Sequence, residues 1–309
     1  MLRLIAGQDD DQRRLDRILR KNLPNFPLSL LHRLLREGKI TVDSVRALPG
    51  DRIKTGQLIE VPESFNNQSR EINHISISKE QENPSSLEII YNGSGLLILN
   101  KPAGLTVHGP NSLEEQVFSY LKPILPPSLS FKPGPLHRLD KGTSGIIVFS
   151  TSLIGAQTFS VLLREGKIQK QYLAIVDGEI EGEKIWNDEL LRNKKLKKTF
   201  PSQGIKNYQE KSKNALSKIK VLAIGRDHSL ILVEIETGRT HQIRAQAGIH
   251  GHPLTGDRKY GSKKSGNFLL HAWKLDAGPL DLKFQAPLPS DFQKKIIQFY
   301  GKNVLYSLQ

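Results

Sequence analysis

The segment from residue 135 to residue 145 reads Pro135-Leu136-His137-Arg138-Leu139-Asp140-Lys141-Gly142-Thr143-Ser144-Gly145, and it runs directly into the apolar stretch Ile146-Ile147-Val148-Phe149. An acid beside basic residues, on a glycine-flanked loop that enters a core strand, is well placed to be a reactive carboxylate. An ionised carboxylate is a competent nucleophile, and a nearby guanidinium favours its ionised form. By residue types alone, a structural salt bridge or a turn cap explains the same loop.

A second cluster follows a strand-like run at residues 229–235. It reads Glu236-Thr237-Gly238-Arg239-Thr240-His241-Gln242-Ile243-Arg244. The chain here passes from a strand through a glycine turn into a helix predicted to begin near Thr240. A helix N-terminus with two guanidinium groups, those of Arg239 and Arg244, makes an anion site that could hold a phosphate or a catalytic carboxylate. A helix with solvated basic residues is the alternative interpretation.

A third pattern is His250-Gly251-His252, with His241 and His271 nearby in sequence. A His-x-His pair can ligate zinc. No second acidic or histidine pair stands at an ordinary ligand spacing, so structural histidines are the favoured interpretation and no metal is predicted.

Composition and charge narrow the class of partner. The chain has 309 residues, with 45 Lys and Arg against 31 Asp and Glu, a net charge of +14 and no cysteine. This charge favours a polyanionic partner, with RNA, DNA and anionic membrane as candidates. The lack of cysteine excludes disulfides, thiolate catalysis and cysteine-ligated metals. No apolar run approaches the roughly 20 residues of a membrane span, and no signal peptide is evident, so a cytoplasmic protein without a membrane partner is expected.

The N-terminal region predicts a small unit of helices and strands. Helical spacing of apolar residues predicts one helix from Arg13 to Lys21 and a second from Ser29 to the glycine at position 38. Residues 40–42 and 58–61 are typical of short strands. A polar stretch follows, in which Ile72, Ile75 and Ile77 could form one strand. We therefore divide the chain into domain 1–62, linker 63–86 and domain 87–309.

The region after residue 87 alternates strands and helices. Strands are predicted at residues 87–91, 96–99, 145–149, 172–176, 218–223 and 229–235, and helices at residues 113–121 and 153–164. The run from Arg192 to Lys220 is rich in lysine and poor in apolar residues, which favours an exposed hairpin or loop.

Four motifs, taken in order, resemble the RluA family of pseudouridine synthases. They are Asn100-Lys101-Pro102-Ala103-Gly104-Leu105-Thr106-Val107-His108; His137-Arg138-Leu139-Asp140 with Thr143-Ser144-Gly145; Lys170-Gln171-Tyr172-Leu173-Ala174; and Gly238-Arg239-Thr240-His241-Gln242-Ile243-Arg244 with Gly251-His252-Pro253-Leu254-Thr255-Gly256-Asp257 and Tyr260-Gly261. The match covers roughly residues 87–280. One departure is Lys141-Gly142, where the family usually has charged residues. We expect both positions to face solvent.

The resemblance implies an α+β fold, in which a mixed, mainly antiparallel sheet flanked by helices carries the catalytic site. It also implies an isomerase that breaks the C1′–N1 bond of a flipped-out uridine and joins C5 to C1′, with no cofactor. By the same resemblance the catalytic residues are Asp140 as nucleophile, Tyr172, which stacks on the uracil and is a candidate to help remove the C5 proton, and Arg244, which pairs with Asp140. His137, Arg138, Arg239 and Ile243 would contact the RNA or the base. Attack at C1′, addition at C6 and base-initiated cleavage are alternative first steps for Asp140. Replacing Arg244 with Ala is expected to lower turnover far more than stability.

The N-terminal unit resembles the S4 RNA-binding domain, a small α/β unit. The segments that carry this resemblance are Arg14-Leu15-Asp16-Arg17-Ile18-Leu19 and Leu31-His32-Arg33-Leu34-Leu35-Arg36-Glu37-Gly38-Lys39-Ile40-Thr41-Val42. Arg33, Arg36 and Lys39 are the RNA-binding residues that it implies. The sequence departs from the S4 pattern at Asp43-Ser44, where an Asn-Gly turn is usual, and at Gly56-Gln57.

RNA is the expected partner, with large-subunit ribosomal RNA favoured over transfer RNA and a monomer favoured. Two other functions compete with this one. The first is a binding module with an inactive large domain. It predicts loss of a key residue, whereas Asp140, Tyr172 and Arg244 are all present. The second is a nucleic-acid hydrolase that uses His250, His252 and Asp257, which chelators would inhibit.

Overall fold

The computed structural model of the chain describes residues 1–63, 87–202 and 211–308. Contacts divide these residues into two compact units. The first unit contains residues 1–63, Val117–Gly134 and Ser150–Ala156, and the second contains Leu87–Gln116, Pro135–Phe149 and the residues from Gln157 onward. The first unit is therefore discontinuous in sequence and larger than residues 1–62. Residues 64–86 of the proposed linker, with the strand predicted around Ile72, Ile75 and Ile77, lie outside the described residues.

The first unit contains two helices and two small antiparallel sheets. The helices are α1 (Leu15–Asn22) and α2 (Leu28–Arg36). A four-stranded sheet has the order β1 (Leu2–Ile5), β6 (Leu58–Val61), β3 (Thr41–Val42) and β4 (Val45–Arg46), and β2 (Arg13–Arg14) pairs with β5 (Arg52–Ile53). The helices form because Leu15, Ile18 and Leu19, and then Leu31, Leu34 and Leu35, recur at helical spacing and are buried. Both predicted helices are present.

The turn between β3 and β4 accommodates the departure at Asp43-Ser44. Both residues have positive φ, +49° and +64°. A two-residue hairpin turn of this kind requires left-handed backbone at both positions, which Asn-Gly supplies most readily. Here the Asp43 carboxylate accepts hydrogen bonds from Leu58 N–H and from the Gln57 side-chain amide, each 2.9 Å long. These bonds hold the same turn without the usual residues.

Asp10 fastens the discontinuous segments of the first unit together. Its carboxylate is fully buried and accepts hydrogen bonds from the backbone N–H groups of Gly7 and Leu129, both 2.8 Å, and from the Ser128 hydroxyl at 3.1 Å. Leu129 also packs against the apolar core of this unit. Residues 128–129 thus complete a core that begins at the N-terminus.

The second unit is built on one large mixed sheet. Its strands are β7 (Ile89–Gly93), β8 (Leu96–Lys101), β9 (Gly134–Pro135), β10 (Ser144–Ser150), β11 (Gln169–Asp177), β12 (Glu183–Asn193), β13 (Lys198–Pro201), β14 (Lys213–Ile224), β15 (His228–Ile235), β16 (Leu270–Ala277) and β17 (Leu282–Gln285). The order is β13-β12-β14-β15-β11-β16-β10-β8-β7, with β9 and β17 joining at β10 and β16. β10 and β16 run parallel, whereas β11 is antiparallel to both of its neighbours. The predicted mixed, mainly antiparallel sheet is confirmed.

Five helices accompany this sheet: α3 (Leu113–Leu121), α4 (Leu153–Arg164), α5 (Gln242–Ile249), α6 (Ser290–Tyr300) and α7 (Lys302–Tyr306). The predicted bounds of α3 and α4 are confirmed. The prediction for residues 192–220 was partly wrong, because β14 begins at Lys213 and β13 lies within the run. Ala215, Ser217 and Ile219 are buried on alternate positions, the period of a strand, although Lys213, Lys218 and Lys220 stand close to them in sequence. Residues 203–210 of that run lie outside the described residues.

A glycine in β10 allows its backbone to approach that of the parallel strand β16 closely. Gly145 pairs with Ala272, has φ +105°, and would place an added Cβ 2.2 Å from the Ala272 carbonyl oxygen. Only glycine fits this approach. The loop that carries Asp140 is thereby joined to the middle of the sheet.

No helix in the described parts of the chain is long and apolar enough to cross a bilayer.

Candidate active site

A cavity of about 360 Å³ lies in the second unit, where three stretches of chain meet. These are the loop before β10, the first part of β11, and the segment from the end of β15 into α5. The sequence-predicted residues of the second unit line it together: Asp140, Tyr172, Arg244, His137, Arg138, Arg239 and Ile243. Residues more than 100 positions apart in the chain therefore share one pocket.

Lys101 holds the loop that carries Asp140 through hydrogen bonds to backbone carbonyl groups. Its side chain is completely buried, and its Nζ donates to the carbonyl oxygens of Pro102 and Leu105, both 2.8 Å, and of Lys141 at 3.3 Å. Burial lowers the pKa of Lys101 to about 8, while the negative charge of Asp140 opposes that shift. Three carbonyl groups thus hold a cation under the loop and fix where Asp140 stands.

Arg244 connects Asp140 to a second, more deeply buried carboxylate. Its Nε and one terminal nitrogen bind both oxygens of Asp257, at 2.6 and 2.9 Å, and its other terminal nitrogen lies 3.2 Å from Oδ2 of Asp140. Asp257 is only 2% exposed. A fork–fork pair of this kind fixes the plane of the guanidinium. The predicted pairing of Arg244 with Asp140 is thus present in the geometry, and Asp257 sets its direction.

Aromatic rings complete the surroundings of Arg244. The guanidinium carbon lies 4.2 Å from the ring centre of Phe268 and 5.1 Å from that of Tyr260. An added Cβ at Gly142 would lie 2.7 Å from the Phe268 ring. The expectation that position 142 faces solvent was therefore wrong, because this position makes room for the ring beside Arg244. Lys141 is exposed, as expected.

Both contacts to Asp140 fall on the same carboxylate oxygen. Arg244 approaches Oδ2, and so does Nε2 of His241 at 3.7 Å. Across the described residues no hydrogen bond reaches Oδ1. One oxygen is thus held by the protein, and the other is available to a reacting group in the pocket.

Tyr172 and Lys170 enter the pocket from the same face of β11, since they are two residues apart on a strand. The pairing of β11 with β16 shifts register between Gln171 and Tyr172, and such bulges re-aim side chains near functional sites. Burial, reinforced by the charge of Asp140, raises the pKa of Tyr172 above its ordinary value. The phenol is therefore un-ionised at neutral pH. Lys170 has no ion-pair partner among the described residues, and burial lowers its pKa.

The remaining predicted residues of the pocket differ in their exposure and in their hydrogen-bond partners. Nε2 of His137 accepts a hydrogen bond from Val148 N–H at 3.1 Å, and burial lowers its pKa to about 3, so the ring is neutral. Arg138 is exposed at the pocket, and Ile243 is a buried apolar wall. Arg239 is exposed and donates from Nε to the Asn214 carbonyl.

The predicted RNA-binding residues of the first unit lie on α2 and just after it. Arg33, Arg36 and Lys39 are all exposed. Arg33 and Lys39 each approach Glu37, at 3.9 and 2.8 Å. Exposed pairs of this kind are weak, so these cations can exchange partners readily.

The residues of the alternative hydrolase site are engaged elsewhere. His250 contacts Asp188 at 3.2 Å and stacks on Trp186, His252 bonds the Asp177 carbonyl, and Asp257 binds Arg244. The described part of the chain contains no group of three or more potential metal ligands.

Reasoning from sequence missed four contributors to this site: Lys101, His241, Asp257 and Tyr260. All four stand inside the quoted motifs, but the sequence patterns placed Asp257 only in the competing hydrolase site and His241 only near a possible zinc pair, and gave Lys101 and Tyr260 no role. Asp257, a buried acid in a turn facing a helix that carries Arg244, gave the strongest signal. The partners of the other three are fixed by tertiary contacts that local sequence patterns do not encode.

Comparisons with known proteins agree on one family. Residues 95–248 match the model of the RNA pseudouridylate synthase family. The chain is 31% identical over 263 residues to ribosomal large subunit pseudouridine synthase C of Haemophilus influenzae, covering 84% of this chain and 79% of that protein. It is 29% identical to the Escherichia coli protein of the same name, covering 85% and 81%. The structure of human RNA pseudouridylate synthase domain containing 4 is similar in fold, with TM-score 0.59, 21% identity, and coverage of 68% of this chain and 91% of that one.

Proposed function

The chain belongs to the family of RNA pseudouridylate synthases, and from this premise we propose that it converts uridine to pseudouridine in the RNA of the large ribosomal subunit. It is an isomerase that acts on RNA. The names of its relatives from Haemophilus influenzae and Escherichia coli support the large-subunit target. The observation that carries the assignment of chemistry is Asp140, held on one oxygen by Arg244 in a pocket shared with Tyr172.

The reaction needs a catalytic carboxylate and a flat site for the base. It consumes no second substrate. The C1′–N1 bond breaks, the uracil turns, and C5 joins C1′, so that one proton leaves C5 and one is gained at N1. Asp140 supplies the carboxylate that begins cleavage, through the oxygen Oδ1 that Arg244 does not bind. Arg244 orients that carboxylate with a charge-assisted hydrogen bond. No cofactor takes part in this scheme.

Tyr172 stacks on the flipped uracil and Ile243 forms an apolar wall beside it. The raised pKa of Tyr172 makes its phenolate scarce at neutral pH, which favours stacking over removal of the C5 proton. Flipping a base costs a few kcal/mol, which contacts to the backbone and pocket must offset. The exposed Arg138 and Arg239 and the neutral ring of His137, all at the pocket, are placed to contribute those contacts.

The test of the proposed function uses RNA labelled with tritium at C5 of uridine. Formation of pseudouridine replaces the C5–H bond, so we expect release of tritium from large-subunit RNA taken from cells that lack the protein. Mapping of pseudouridine in total RNA from these cells should show lost sites in the large subunit. Sites lost only from transfer RNA would overturn the ribosomal target. No release from any cellular RNA would overturn the activity.

The first unit is proposed to bind RNA as an S4-like domain, with Arg33, Arg36 and Lys39 contacting phosphates. Replacing all three with Gln should weaken RNA binding and reduce the slope of log affinity against log salt by about 2–3, because each phosphate contact releases roughly 0.7–0.9 of a counterion. The rate at saturating RNA should change little. Dissociation constants measured at several salt concentrations check this.

A matched control removes the same charge elsewhere. Lys184, Lys294 and Lys302 are exposed residues of the second unit. Replacing these three with Gln should leave the salt slope closer to that of the unmodified protein. Equal slopes for the two triple variants would count against the S4-like role. Deleting residues 1–62 is a poorer test, because Leu129 and Asp10 share one core and hydrogen-bond network.

We also propose that the protein works in the cytoplasm, where ribosomes are assembled, and as a monomer.

A further inference from the structure

His241 has an unusual backbone at the edge of the pocket. It precedes the first residue of α5 and has φ +56° and ψ 26°, in the left-handed region. Non-glycine residues are uncommon in this region, and such conformations cluster at functional sites. The conformation brings the ring to 3.7 Å from Asp140, measured from Nε2 to Oδ2. The backbone at His241 is thus shaped to place its side chain.

The contacts of Nδ1 determine where the proton of this ring lies. One terminal nitrogen of Arg192 stands 3.4 Å from Nδ1, and the Tyr260 hydroxyl stands 2.8 Å from it. A guanidinium can only donate. The Tyr260 oxygen already accepts a hydrogen bond from Thr199 N–H at 2.9 Å, so its own hydrogen is free to donate to Nδ1. Nδ1 is therefore an acceptor, and the proton of a neutral ring must be on Nε2.

The surroundings keep the ring neutral. Burial lowers the pKa of His241 to about 4, and the cations Arg244, Arg192 and Lys259 act in the same direction, against the opposing charge of Asp140. At pH 7 the ring is uncharged. The group that faces Asp140 is thus the neutral Nε2–H. Arg192 and Tyr260 fix its position, because they bind Nδ1 on the opposite side of the ring.

We propose that His241 is a positioning residue for Asp140, donating its Nε2–H to the same carboxylate oxygen that Arg244 binds. This inference rests on the proposed function, since it assigns Asp140 to the reaction. Both donors come from the start of α5, and together they hold Oδ2 of Asp140 and leave Oδ1 for the substrate. The distance of 3.7 Å is beyond hydrogen-bond length, and such contacts commonly tighten when substrate fills the site.

Three substitutions distinguish the effect of losing the Nε2–H donor from the effect of changing the left-handed backbone at position 241. His241→Ala removes the donor. His241→Asn keeps a residue that tolerates left-handed backbone, but its amide is too short to reach Asp140. His241→Gln places an N–H at about the distance of Nε2. We expect the Ala and Asn variants to lose about tenfold to a hundredfold in kcat with little change in KM, and the Gln variant to recover to within a few-fold of the unmodified enzyme.

The pH profile gives a readout that a purely structural role would not move. The charged and titratable groups around Asp140 are Arg244, His241, Lys101 and Tyr172. A carboxylate that loses a hydrogen-bond donor is protonated more easily. The acid limb of the rate should therefore move to higher pH in the Ala and Asn variants and stay in place in the Gln variant.

Two results would overturn the inference. One is a kcat and an acid limb in the Ala and Asn variants that match those of the unmodified enzyme. The other is a folded Gln variant that is as slow as the Asn variant, with no movement of the acid limb in either. Tritium release by the unmodified enzyme is measured first, so failure of the proposed function is seen separately from failure of this role.

Discussion

Replacing Asp140 with Asn is expected to abolish pseudouridine formation, with a loss of turnover on the order of 10⁴-fold or more. The amide has nearly the same shape and can still accept a hydrogen bond from Arg244, but it has neither the charge nor the nucleophilicity of a carboxylate. Arg244 remains paired with Asp257 through two bonds, so no buried cation is left without a partner. The variant should therefore fold, melt within a few degrees of the unmodified protein and still bind RNA.

Single-turnover tritium release measures this loss. Because an Asn side chain can revert to Asp by deamidation, Asp140→Ala is measured beside it. The control is Asp276→Asn, which removes an acid of the same unit that pairs with Lys283 at 3.2 Å, away from the pocket. Full activity is expected there. A folded Asp140→Ala protein with more than a few per cent of normal turnover would refute the assignment of Asp140.

Replacing Arg244 with Ala should damage both stability and activity. The carboxylate of Asp257 would be left buried without its partner, and breaking a buried ion pair from one side costs about 3–5 kcal/mol. The carboxylate of Asp140 would also lose its orienting cation, so turnover should fall on the order of 10²-fold or more. The sequence alone suggested a variant that is slow but stable. The bidentate contact to Asp257 is the reason for expecting instability as well.

A double variant separates the two effects. Arg244→Ala with Asp257→Ala removes the stranded charge together with its partner, so part of the lost free energy of unfolding should return, as measured by denaturant titration. Turnover should stay as low as in the single variant, because Asp140 still lacks its cation. Recovery of activity together with stability would mean that Arg244 serves the fold and not the reaction.

Local patterns predicted much of the fold. The bounds of α3 and α4 followed from their apolar spacing, and β8, β10, β11 and β15 stood out as apolar runs, whereas the central strand β16 was not predicted from its residues. β1 was missed, because only alternate residues of Leu2–Ile5 are partly buried and the run is short. β14 was misjudged at its start, because exposed lysines alternate with its buried residues.

The sequence predicted which residues form the site, but not which of them contact one another. Residue types alone left Asp140 in an ordinary salt bridge, and the family resemblance supplied its pairing with Arg244. Nothing in the spacing of residues indicates that Arg192 and Tyr260 meet the same imidazole nitrogen, or that Asp257 fixes Arg244. These contacts join segments brought together only by the completed sheet, so they follow from topology and not from local propensity.

The discontinuous first unit has a consequence for how the chain folds during its synthesis. The Asp10 carboxylate accepts a hydrogen bond from the nearby Gly7 N–H, but its other two partners are at residues 128 and 129. A ribosome that adds about 5–20 residues per second needs roughly 3–13 s to pass from residue 63 to residue 129. Throughout that interval residues 1–63 carry an acidic side chain whose partners at 128 and 129 have not yet been made. Residues 1–63 are therefore made before the partners that complete their core, and chaperones that bind nascent chains would meet them while that core is incomplete.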